Sequence, residues 1–457
     1  MARDVLLKRA SGAERDPSFR PRHRRPRFRS EFWIICLATV LIPAAMMQSL
    51  RPVDLVTVGS LFLFSWMVIN RRLPRPIVWI LAIYFLMLGV RVILELQMFG
   101  DPRTLLGMTA TYVTCVVFFV TREAKISRQT IRWLLGTGVA VAVFSQLGVL
   151  PTQESYVSGV IWRVEPPTLG EFDRFSDTTI TVWRALSVGI TFAAIVGRTS
   201  PGLKLFGLIA LLLQFGGGGG GRSALLFVVV VPVALLFLSG GYERSRQIVR
   251  AGALVLIFTA IYYGAPLATS VATKEQSTHQ ERILQTFSLS ILSGNEGGGL
   301  SGRIATAAFF LQQISLSPET IVFGTGLSQG AAFESEVIRE ASYGNAILGQ
   351  AHNAFLDTWA LSGVIGVLFL IVFLGYVVSD LRKLLYAAPP RGPDQFLAFA
   401  LAAAIMFMFQ WLLFQATASD RPFMTVFYLL AGLLAPATRM IQDRRNQQTN
   451  SQFVTQK

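Results

Sequence analysis

The chain has 457 residues, 52% of them hydrophobic and only 15% charged. Soluble proteins carry about 25% charge, so the composition points to a membrane protein before any motif is read. The formal net charge of +15 would suit nucleic acid, but the basic residues fall in short clusters between apolar runs; that is how membrane topology is encoded, and no nucleic-acid partner is expected.

Residues 1–31 form a basic tail, with RPRHRRPRFR running from Arg20 to Arg29. It is too long and too Pro-rich for a signal-peptide leader, and no small-residue cleavage site follows the first apolar run. A cytoplasmic tail that orients the first span is expected, with contact to anionic lipid as a second use.

A spanning helix needs roughly 17–25 apolar residues. Candidates lie near 32–50, 53–69, 76–94, 104–121, 131–150, 179–197, 203–217, 223–239, 248–266, 353–378, 395–416 and 421–438. The fold class expected is therefore an all-α polytopic membrane protein with about 12 transmembrane helices. With the N-terminus inside, the connections NRRLPRP, REAKISRQ, RTSPGLK, GGYERSRQ and 379–394 face the cytoplasm, and each carries two or more basic residues. The short outer connections, around Arg51, Arg103 and Arg421, carry one each, as the positive-inside rule requires. This divides the chain into spans 1–9 (32–266), a large outer loop (267–351), spans 10–12 (352–438) and a cytoplasmic C-terminal tail (439–457).

Cys36 and Cys115 both sit in apolar runs and read as small core hydrophobes, not as a disulfide. The outer segment 151–178 carries Glu154, Glu165, Glu171, Asp173 and Asp177 and reads as an acidic, solvated loop. The 267–351 loop is longer than a connector needs to be, which marks it as functional. Within it Ile304, Ala307, Ala308, Leu311 and Ile314 fall on one helical face, SGNEGGGLSG precedes them as a hinge, and Pro318 breaks the pattern. An amphipathic helix lying on the membrane surface is expected there.

The residues able to do chemistry gather on the outer side. Of the three histidines, His23 lies in the inner tail and His279 early in the outer loop, whereas His352 stands where AHNAFLDTWALSGVIG re-enters the bilayer. A histidine there can act as a general base; taken alone it also reads as a polar helix cap. Arg222 follows six glycines in QFGGGGGGRSALL, Arg303 opens the loop helix, and Arg184 sits just inside the sixth span. Arginine is a bidentate donor to phosphate and stays charged near a membrane. The bare backbone ending at Gly221, placed against a helix start, can form an anion nest beside Arg222. The plainer readings are snorkelling for Arg184 and small-residue helix packing for the glycines.

Three segments in this order resemble the O-antigen ligase and polymerase superfamily: GGRSALL, SGRIATAAFFLQQISLSPETIVFGTGL, and AHNAFLDTWALSGVIG with its Gly-x-x-Gly step. The resemblance covers roughly residues 200–380 and departs from the family at 170–179, where GEFDRFSDTT lacks the family's Pro-Asn. It implies a GT-C-like glycosyltransferase with a large periplasmic loop. Such an enzyme moves a glycan from an undecaprenyl diphosphate carrier to an acceptor on the periplasmic face of the inner membrane. The acceptor is lipid A-core for a ligase and a second lipid-linked glycan for a polymerase; AHNAFLD is also similar to the matching stretch of exopolysaccharide polymerases. The roles implied are catalytic base for His352, diphosphate binding for Arg222, Arg303 and Gly221, and substrate binding for Arg184 and Asn353. The chain contains no Asp-x-Asp pair, so a metal-independent, inverting transfer without a cofactor is expected. A transporter or flippase of lipid-linked sugars is the rival, although no internal repeat of the kind transporters carry is visible.

Overall fold

The computed structural model describes residues 52–70, 73–99, 112–136, 353–389, 392–414 and 421–455, with shorter pieces between 185 and 253 and between 311 and 324. The described elements are helical, in the order α1 Pro52–Ile69, α2 Arg75–Phe99, α3 Val116–Glu123, α4 Pro318–Phe323, α5 Ala354–Ala387, α6 Pro393–Phe414 and α7 Arg421–Thr455. Four of them, α2, α5, α6 and α7, are long and apolar enough to cross a membrane.

The surface of α2 shows why this is a membrane protein. Ile77, Leu81, Tyr84 and Leu88 recur at three- and four-residue spacing and are buried. Trp79, Ile83, Leu86, Val90 and Ile93 follow the same period on the opposite face and are exposed. A helix of a soluble protein would place polar residues there; an apolar face turned outward at this length is one that meets lipid. Val58, Phe62 and Ile69 extend the exposed apolar surface onto α1. At the end of α1 the backbone N–H and the side-chain amide of Asn70 both donate to the Trp66 carbonyl, at 3.0 and 2.7 Å, satisfying an orphan acceptor of the last turn.

The centre of the bundle is α3, α5, α6 and α7. Phe373 of α5 meets Phe118 of α3 and Tyr428 of α7 edge to face, with centroids 4.8 and 5.0 Å apart, and Tyr84 of α2 stacks on Phe369 at 4.1 Å. Where aromatics are absent the backbones close in. A Cβ on Gly432 of α7 would stand 2.7 Å from the Thr121 Cβ and 2.8 Å from the Phe118 carbonyl, and one on Gly189 would overlap the Ala400 carbonyl of α6. Helices in lipid gain their packing through such small residues, since solvent exclusion contributes little between them.

Two expectations change here. The span predicted at 353–378 is not one regular helix: α5 holds Gly363 at φ 67°, ψ −166°, a non-helical conformation open only to glycine, so a short helical arm before it meets a membrane helix after it. And α7 does not end near residue 438 but continues through Pro436 to Thr455, so the predicted tail is helical. The spans predicted at 53–69, 76–94 and 395–416 correspond to helices α1, α2 and α6, and those at 104–121, 131–150, 179–197, 203–217, 223–239 and 248–266 are described only in part; the span at 32–50, the 151–178 loop and the bulk of the 267–351 loop lie outside the described residues.

At one end of the bundle basic segments converge. Arg122 holds Asp380 through Nε at 2.7 Å and Nη2 at 3.2 Å, and stacks over the Tyr376 ring. Burial alone disfavours the charged guanidinium, but the Asp380 hydrogen bonds and charge more than offset this and raise its pKa above the ordinary value. Arg439 of α7 donates to the carbonyls of Arg122 and Ala124 that follow from the end of α3.

Candidate functional site

The opposite end of the bundle assembles two segments that the sequence singles out, the Ser317–Gly324 stretch of the large loop and the arm that begins at Asn353. The loop stretch forms α4 for a local reason. Ser317 is extended and its Oγ accepts from Thr320 N at 3.2 Å, while Thr320 Oγ1 accepts from Ser317 N at 3.2 Å; this reciprocal capping box stands beside a proline in the first turn. Pro318 therefore starts a helix as well as ending the pattern before it. Gly324, at φ 75°, closes the helix.

Asn353 is the hinge point of the second segment. Its Oδ1 accepts from Phe355 N at 2.9 Å and Leu356 N at 3.3 Å, capping α5. Its Nδ2 donates to the Leu413 carbonyl at 3.3 Å, one of the acceptors left open in the last turn of α6. One amide thus joins the start of one helix to the end of another. A cap of this type contributes about 1 kcal/mol.

The two segments dock on each other through the kink. Trp359 Nε1 donates to the Ile321 carbonyl at 3.1 Å. A Cβ at Gly363 would overlap the Val322 carbonyl, so α4 lies directly against the bare backbone of the bend. From α2, Arg91 Nη2 donates to the Gly324 carbonyl at 3.1 Å. Asp357, in the first turn of the arm, is buried, and an acidic side chain at a helix N-terminus is favoured by the helix dipole.

Of the site residues expected from sequence, Asn353 is the one the structure places, and its amide is engaged with backbone on both sides. His352, Arg222, Gly221, Arg303 and Arg184 lie outside the described residues. Arg91, which lies within a predicted span, and Asp357 are given no role by the sequence. Both carried a readable signal, an ionisable side chain inside an apolar span. The pairing of Arg91 with Gly324 joins positions 233 residues apart, which a single sequence does not reveal. No protein-family model matches this chain, and no curated protein matches it either.

Proposed function

We propose that the protein is an inner-membrane glycosyltransferase that moves a glycan from a polyprenyl diphosphate carrier to an acceptor hydroxyl on the periplasmic face. The reading is taken as an O-antigen ligase acting on lipid A-core, with an O-antigen or exopolysaccharide repeat-unit polymerase of the same superfamily as the alternative. The observation that carries the reading is the docking of α4 on the Asn353 arm. It joins the end of the loop segment opened by Arg303 to the segment that contains His352, two of the three stretches on which the family resemblance rests.

The chemistry divides among the proposed residues as follows. A glycosyl diphosphate already carries a good leaving group, and its departure needs charge stabilisation at the phosphates. Arg222, Arg303 and the backbone at Gly221 supply that. The acceptor hydroxyl loses its proton to His352 as its oxygen attacks the anomeric carbon, and the bond to the diphosphate breaks on the opposite face, inverting the configuration. Asn353 holds the helix start one residue away from that base, and Arg184 is proposed to meet the carrier or the glycan near the outer surface. The twelve-span, GT-C-like architecture, with both termini in the cytoplasm, belongs to this proposal. It is supported by the alternation of basic connections and by the gathering of Arg122, Asp380 and Arg439 at the end remote from Asn353.

The test is a deletion strain complemented with variants. Without a ligase, carrier-linked long polymer accumulates; a strain that instead accumulates single repeat units would assign the protein as a polymerase. Complementation should fail with Arg222→Ala, Arg303→Ala or His352→Ala at normal membrane levels. Full complementation by all three would sink the site assignment, and loss of transfer on chelation would sink its metal independence.

A further inference from the structure

The basic end of the bundle carries a second arginine cluster whose charge, unlike that of Arg122, is not matched from within. Arg122 has its own carboxylate, Asp380, gripped through two nitrogens. Arg128 shares one. Its Nε stands 3.5 Å from Asp394 Oδ1, and Arg444 Nη1 lies 3.5 Å from the same oxygen. Arg132 and Arg444 both press like charge on Arg128, which, with burial as the larger cause, holds its guanidinium below its ordinary pKa. Two guanidiniums therefore share one carboxylate, and a third, that of Arg132, adds like charge beside Arg128. Among the described residues, Nε of Arg128 meets Asp394 only through this long ion pair, and its buried Nη2 has no hydrogen-bond partner. A guanidinium turned into such a place wants an oxyanion.

The surroundings say which kind. Arg128 opens the helical residues 128–136, whose start is capped by Ser127 Oγ accepting from Thr130 N at 3.2 Å, so a helix N-terminus adds partial positive charge. Arg132 is exposed, and Trp133 beside it is 65% exposed, an aromatic ring of the type that settles at the headgroup level of a bilayer. We propose that Arg128, Arg132 and Arg444 bind the phosphodiester of an anionic phospholipid at the basic end of the bundle, with Asp394 as the resident counter-charge that limits the affinity. The inference rests on the basic end of the bundle alone and stands apart from the glycosyl-transfer reading.

The full-length protein, purified in detergent, is titrated with dioctanoyl phosphatidylglycerol, dioctanoyl phosphatidylcholine or inorganic phosphate while its melting temperature is followed. Phosphatidylglycerol should raise it saturably and phosphatidylcholine should not. Arg132→Gln, at an exposed position that leaves the core intact, should weaken the apparent affinity about tenfold, as loss of one charge-assisted contact implies. Asp394→Asn should tighten it, an outcome that a purely structural role for Asp394 does not give. An equal response to inorganic phosphate at the same concentration would overturn the lipid assignment in favour of a soluble phosphate. An unchanged phosphatidylglycerol response in both Arg128→Gln and Arg132→Gln would overturn the site.

Discussion

Asn353 and Gly363 are ten positions apart and do opposite jobs, one fixing a helix start and the other breaking a helix open. Replacing Asn353 with Ala removes the cap and the bond to Leu413 together, and should cost about 1–2 kcal/mol in equilibrium unfolding of the detergent-solubilised protein. Asn353→Asp keeps the capping oxygens but cannot donate to the Leu413 carbonyl, so its loss should be smaller than that of Ala. Gly363→Ala meets two obstacles at once, a φ of 67° and the Val322 carbonyl. It should release α4 from the arm, seen as faster proteolysis around 318–324, with glycan transfer falling at the same time. Sequence could show that Asn353 precedes an apolar run, which is a cap signal. It could not show Leu413, sixty residues away. Gly363 was visible only as part of a glycine pair; the carbonyl that demands it comes from another element.

Among elements, the joint between α3, α5 and α7 has the clearest energetics. Asp380 is 2% exposed and Arg122 17%, so removing the acid strands a largely buried guanidinium. Asp380→Ala should cost about 2–3 kcal/mol, below the roughly 3–5 kcal/mol of a fully buried pair because water still reaches Arg122. The double variant Arg122→Met, Asp380→Leu should be less destabilised than Asp380→Ala alone, since no unpaired charge remains; chemical unfolding of the three proteins side by side checks the order. Hydropathy located α2, α5, α6 and α7 because each is a long apolar run. It read α5 as one span because averaging over such a window hides a single residue at which the backbone turns. It stopped α7 near residue 438 because charge begins there, although helix propensity and packing carry the helix on to Thr455.

At the scale of the molecule, the apolar faces of α2 and the four long helices make this a multi-pass membrane protein, and that much was legible from composition. The juxtaposition of the loop helix and the Asn353 arm was legible only as two motifs in order, since their meeting depends on contacts that span the chain. The proposed glycosyl transfer requires His352, Arg222 and Arg303 to act on one substrate. The direct measurement is release of polyprenyl diphosphate from a lipid-linked glycan donor by the purified protein in liposomes, with and without acceptor. The account predicts acceptor-dependent release, one carrier per glycan transferred, reduced about 10²- to 10⁴-fold by His352→Ala as loss of a general base requires. Release at the wild-type rate by His352→Ala, or no release by the wild type, would contradict it.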